Sequence, residues 1–184
     1  MEPIFTMQYA EFQVADYLTK KMKNVSVFVP ASAQEKGIDF LLYRFAEGRS
    51  QTNTIQVKMS RTYYMKNGKQ QFPYHLWFNR FTVQPNAGWY VLVGIYARNQ
   101  EAGKSAGTVR MEWDTIMLAF TNGEMTRFME QVRQKKDPTK PDKMFGFGFD
   151  DDRRIYQTRG FPVERDMSRY LIENRLEEME RSFC

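Results

Sequence analysis

The spacing of apolar residues changes period twice along the chain. Val14, Ala15, Leu18 and Met22, with Glu11 one turn ahead of them, fall on one side at about 100° per residue, which predicts an amphipathic helix over 7–22 with its apolar stripe against a sheet. The pattern then shortens to alternation in Gly37-Ile38-Asp39-Phe40-Leu41-Leu42-Tyr43 and Thr54-Ile55-Gln56-Val57-Lys58-Met59-Ser60. Side chains alternate across a strand, so Asp39, Leu41, Tyr43 and Phe45 share one face, and Gln56, Lys58 and Ser60 share one face of the next strand. With the turn centred in Glu47-Gly48-Arg49-Ser50-Gln51, antiparallel pairing sets residues near Met59 opposite Asp39 and leaves Gln56 and Lys58 diagonal to it.

Further on, Asn67-Gly68 is a strong hairpin-turn signal, and Tyr74–Phe81 follows as an aromatic-rich extended segment. Trp89–Ala97 is a continuous apolar run that predicts a buried central strand, and Trp113–Phe120 predicts another. Asn122-Gly123-Glu124 leads into a helix over 125–134, and 135–143 is an exposed loop. Phe145-Gly146-Phe147-Gly148-Phe149 lacks the Lys-Ser/Thr sequel of a phosphate-binding loop, and Asp150-Asp151-Asp152 is a polar turn. The end of the chain, 166–181, alternates in charge and offers Met167, Tyr170, Leu171, Leu176 and Met179 for packing, which predicts a C-terminal helix. Neither a repeat nor an interdomain linker interrupts the pattern, so residues 1–184 are expected to form a single domain.

Composition agrees. At 184 residues, 42% hydrophobic and 15% aromatic, the chain can bury a sizeable core. No apolar run approaches the roughly 20 residues of a membrane span, so no membrane is expected as a partner. Met1-Glu2-Pro3-Ile4 shows no basic segment and no signal-type apolar core, and the expected address is cytoplasmic. The only cysteine, Cys184, excludes an intrachain disulfide framework and a cysteine-based zinc cluster. His75 is the only histidine, and no nucleophile is marked beside it, so it reads as structural or substrate-contacting.

The charge is more informative by location than by its formal total of +5. No Asp or Glu occurs from Gly48 through Gln100, whereas Arg49, Lys58, Arg61, Lys66, Lys69, Arg80 and Arg98 do. Such a segment attracts phosphate backbones. Asp39, Gln56 and Lys58 add a carboxylate, an amide and an ammonium on one side of a hairpin, and Glu11 adds a second carboxylate from the preceding helix. These are the groups needed to hold a divalent cation against a phosphodiester. Glu11 falls within an apolar stripe, and burying an unpaired carboxylate costs several kcal/mol, so a cation shared with Asp39 would supply its partner.

The order of helix with Glu11, strand, Gly37-Ile38-Asp39 strand and Gln56-Val57-Lys58 strand resembles the PD-(D/E)xK nuclease superfamily, which includes restriction endonucleases, archaeal Holliday-junction resolvases and Mrr-like enzymes, over about the first hundred residues. The resemblance implies an α/β fold with a restriction endonuclease-like three-layer core, a mixed central sheet flanked by helices. It implies a metal-dependent phosphodiester hydrolase acting on DNA as an endonuclease, with Mg²⁺ or Mn²⁺ as cofactor. Asp39 takes the metal-bridging position, Gln56 the variable acidic one and Lys58 the lysine; Glu11 orders the attacking water, and the Val57 carbonyl is a further metal ligand. No Pro precedes Asp39, and Gln56 stands where Glu or Asp is more usual.

Ser60 and Arg61, just past Lys58, are expected to bind phosphate, with Tyr63, Lys66, Lys69 and Arg80 as further nucleic-acid contacts. Cutting both strands of a duplex needs two sites, which makes a homodimer an open possibility. Two alternatives carry weight: a nuclease-fold protein that binds DNA without cutting it, and an interaction domain that binds no nucleic acid.

Overall fold

A computed structural model describes residues 9–30, 36–65, 71–98, 112–132 and 144–183. Glu47 and Gly48 alone turn the chain from β2 (Phe40–Ala46) into β3 (Arg49–Tyr64). Their φ angles of 54° and 73° are the left-handed backbone of a tight hairpin, accessible to Gly48 without a Cβ clash. The turn is shorter than the five-residue segment expected, and the ladder therefore runs from Ala46↔Arg49 to Phe40↔Ile55. This register corrects the sequence expectation: Asp39 comes level with Gln56 and Val57, not with Met59.

β1 (Ser26–Phe28) joins the outer edge of β2, antiparallel. On the other side of β3 lies β5 (Trp89–Arg98), parallel to it from Ile55↔Trp89 to Arg61↔Ile95, and β6 (Glu112–Thr121) returns antiparallel to β5. A parallel pair needs a crossover, and here the crossover carries β4 (Tyr74–Asn79), which pairs with Thr62, Tyr63 and Tyr64 at the end of β3. β7 (Met144–Phe149), β8 (Ile155–Arg159) and β9 (Arg165–Asp166) extend from β4, all antiparallel. The protein is thus an α/β molecule with a mostly antiparallel open sheet and few helices. One consequence positions the site: between the last β2 pair at Ile55 and the first β4 pair at Thr62, residues 56–61 of β3 pair with β5 alone among the described strands.

Alternation sorts the side chains into two cores. Ile55, Val57, Trp89, Val91, Val93, Met117 and Ala119, with Phe40 and Leu42, face α1 (Tyr9–Lys21), which contributes Ala10, Val14 and Leu18. Tyr90, Leu92, Tyr96, Ile116, Leu118 and Phe120 point the other way, toward Met125, Phe128 and Met129 of α2 (Asn122–Gln131) and the aromatic residues of β4 and β7. The two helices therefore cover opposite faces, and β5 and β6 are buried on both, as a continuous apolar run requires. α2 starts three residues before Met125 because Thr121 caps it: its Oγ1 accepts from the Glu124 N–H, and the Glu124 carboxylate accepts from the Thr121 N–H.

In β7 the phenylalanines face the second core while Gly146 and Gly148 face outward. A Cβ on Gly146 would stand 2.5 Å from Trp77 Cδ1, and one on Gly148 would stand 2.8 Å from Phe72 Cδ2. The glycines are the space on which those two rings lie.

The helix expected over 166–181 is not continuous. Two 3-10 turns (Ser168–Tyr170 and Ile172–Asn174) precede α3 (Leu176–Arg181). Met167 and Leu171 pack in one core, Ile172 and Met179 in the other, so the chain must cross the β6 edge between them. Leu171 does so in extended conformation, bridged to Leu118, which a straight helix forbids. The Asn67-Gly68 turn and the 135–143 loop lie outside the described residues.

Candidate functional site

Asp39 sits where β2 parts from β3. Its N–H donates to the Ile55 carbonyl at 2.9 Å, and its Oδ2 accepts from the Val57 N–H at 2.6 Å. The carboxylate thus takes a β3 donor that lies beyond the last β2 pair. Burial raises its pKa above the ordinary carboxylate value; the Val57 hydrogen bond and then the Lys58 charge pull the other way without cancelling it. In a strand the N–H and C=O of one residue leave on the same edge, so the Val57 carbonyl points toward the Asp39 side of β3.

Gln56 and Lys58 alternate to the face opposite Ile55 and Val57, as Asp39 alternates against Phe40. They line a groove of about 370 Å³ together with Trp77, Arg80, Phe81 and Gln84. Gln56 is 4% exposed, and its Oε1 is buried without a hydrogen-bond partner. A buried amide oxygen left unpaired costs about 1–3 kcal/mol, so its retention calls for an explanation such as a cation or water.

The other expected residues divide. Glu11 is half-buried at the flank of the Ala10-Val14-Leu18 stripe, on the helix that covers the Ile55 and Val57 face rather than the Gln56 and Lys58 face. Ser60, expected to bind phosphate, is instead buried; its hydroxyl donates to the Trp77 carbonyl and accepts from the Trp77 N–H, both at 2.9 Å, fastening β4 to β3. Arg61, Tyr63 and Arg80 are exposed, and Arg80 edges the groove. Lys66 and Lys69 lie outside the described residues. His75 is buried, its Nε2 bonded to the Phe72 carbonyl at 2.9 Å, and burial lowers its pKa. Trp77, an aromatic of the Tyr74–Phe81 segment that the sequence leaves open between base stacking and core packing, lines the groove, and the guanidinium of Arg159, which the sequence did not mark, lies over its ring at 5.6 Å.

Among the described residues no three His, Cys, Asp or Glu side chains gather to hold a metal ion. The Asp39 carboxylate, Gln56 Oε1 and Val57 carbonyl come from adjoining positions of β2 and β3, and oxygen donors of this kind, one of them charged and one unpaired, are those a hard cation that keeps several of its waters takes. Comparison with protein-family models, curated proteins and solved structures finds no match for this chain. Among the described residues no helix is long and apolar enough to cross a membrane.

The raised Asp39 pKa has a stability consequence. Ionising this carboxylate costs more in the folded chain than in the unfolded one, so its cost is absent below the ordinary carboxylate range and appears as pH rises through the raised value. Asp39→Asn keeps an acceptor for Val57 and removes the charge. Thermal unfolding should show this variant melting above the parent at pH 7, with the difference closing below about pH 4. A lower melting temperature at pH 7 would contradict the burial cost.

Proposed function

We propose that the chain is a metal-dependent phosphodiester hydrolase acting on DNA, its core built in the restriction endonuclease-like manner. The observation that carries this reading is the buried, unpartnered Gln56 Oε1 on the face shared with Asp39 and Lys58. A bound Mg²⁺ or Mn²⁺ would supply Lewis acidity at a phosphate and lower the pKa of a water. Asp39, held in place by the Val57 N–H, Gln56 and the Val57 carbonyl are the groups that would hold the ion. Lys58 neutralises charge developing on the phosphate, a role for a cation already positioned where the charge appears. Arg80 on the groove rim and Arg61 beyond it draw the phosphate backbone in. No step here rests on Glu11.

That Asp39 is the one carboxylate among the groups that would hold the ion favours one second reading, a nuclease-fold protein that binds DNA without cutting it. Linear, supercoiled and branched DNA incubated with the purified chain, with Mn²⁺ or with chelator, separates the two. Cleavage that needs the ion supports the hydrolase. Salt-sensitive binding without cutting under any condition supports the second reading, and the absence of both binding and cutting overturns both.

A further inference from the structure

The outer face of β4, β7 and β8 carries an assembly that hydrolysis at Asp39 does not use. Tyr63 pairs with His75, His75 with Gly148 and Gly148 with Tyr156 across four strands, while Trp77, Gly146 and Arg159 form a second row. Residues directly opposite one another share a face. Because two of these positions are glycine, the face is low between flat rings: Trp77 rests over Gly146 and Phe72 over Gly148. Tyr63 stacks on Trp77 at 4.4 Å and 25°, and Phe72 stacks on Tyr156 at 5.2 Å. Between Phe72 and Trp77 runs a groove of about 510 Å³, floored by His75 and edged by Arg159 and Glu164.

The aromatic residues of β4 divide by face. Tyr74 and Phe78 are buried at 2% and 5%, whereas Trp77 is only partly covered and Tyr63 is 42% exposed, so the outer ring of the Tyr63–Trp77 stack presents a face to solvent. Trp77 also lines the groove of Gln56, Lys58 and Arg80, so the two grooves share this residue where β4 meets β3. Arg61 and Arg159 flank the stack, Lys58 and Arg80 lie beyond it, and Glu164 is the carboxylate on the rim. Flat rings with cations beside them suit bases and phosphates in succession. A base paired within a duplex has no free π-face to offer.

We propose that Tyr63, Trp77 and Arg159 form a stacking platform for unpaired bases of a DNA strand whose backbone continues to Asp39 and Lys58. The proposal rests on the hydrolase reading for the strand's destination, but not for its binding. It names the substrate class: DNA that is single-stranded alongside the site.

Fluorescence anisotropy in chelator, with a labelled oligothymidylate of about 12 nucleotides and a duplex of equal length, tests it. The parent chain should bind the single strand more tightly than the duplex. Tyr63→Ala and Trp77→Ala should each weaken single-strand binding about tenfold, with duplex binding little changed, and Trp77→Phe should restore most of the loss. Tyr63→Ala, at an exposed position, keeps the test decisive if Trp77→Ala folds poorly. Equal affinity for the two forms, or equal losses on both, would overturn the platform. The parent chain separates the two readings: preferred single-strand binding with no Mn²⁺-dependent cutting sinks the hydrolase alone, and cutting without strand preference sinks the platform alone.

Discussion

Lys58→Ala should slow Mn²⁺-dependent cleavage of DNA by on the order of 10²–10³, the usual loss when one group aimed at developing transition-state charge is removed. The change should leave the melting temperature nearly unaltered, because Lys58 is only half-buried. Asp39→Ala should go further and remove detectable cleavage, since it takes away the charged member of the proposed ion-holding groups and leaves the Val57 N–H without its acceptor. Single-turnover rates for the parent and both variants, on the same DNA and at saturating Mn²⁺, measure the effect. Rates unchanged in both variants would strip these residues of the roles given to them.

The second large effect lies away from the site. One Glu124 oxygen accepts from the Thr121 N–H at 2.9 Å and from the Arg175 guanidinium at 2.5 Å, so a single carboxylate caps α2 and anchors the C-terminal segment. The Arg175 side chain is 9% exposed and lies over Trp89, with Glu178 as its other ion-pair partner at 2.9 Å. Removing one member of a buried pair costs about 3–5 kcal/mol, and losing a cap about 1. Because Glu178 still neutralises part of the Arg175 charge, Glu124→Ala should destabilise by about 3 kcal/mol, a fall of about 6–12 °C in melting temperature for a chain of this size. Glu124→Gln, which keeps an oxygen for the cap, should lose less. Chemical denaturation giving a change under about 0.5 kcal/mol, the usual range for surface substitutions, would show that the pair holds nothing in place.

Which features were legible in the sequence follows from how locally each is determined. α1, β5 and β6 are written in periodicity, and they occur as Tyr9–Lys21, Trp89–Arg98 and Glu112–Thr121. The common face of Asp39, Gln56 and Lys58 follows from alternation within each strand. Their register does not, because Glu47-Gly48 lacks the Asn-Gly or Asp-Gly pattern of a two-residue turn, yet Glu47 adopts a positive φ. Ser60 read as a phosphate contact because no local signal tells that β4 will close over it. Arg159 was missed, and Trp77 left open between base stacking and core packing, for the same reason: they lie far apart in the chain, and the Phe-Gly alternation of β7 marks where rings rest only once β4 is known to pair with it. The C-terminal segment misled in the opposite sense, its helical spacing being overridden by two cores on opposite sides of a sheet edge.

Calorimetric titration of Mn²⁺ into the DNA-free chain is the most direct measurement of whether the Asp39 carboxylate and the unpaired Gln56 oxygen serve a cation. One ion should bind per chain, with binding abolished by Asp39→Asn, weakened by Gln56→Leu and unaffected by Tyr63→Ala. The absence of any binding, or the same isotherm in the parent and in Asp39→Asn, would contradict a cation site there.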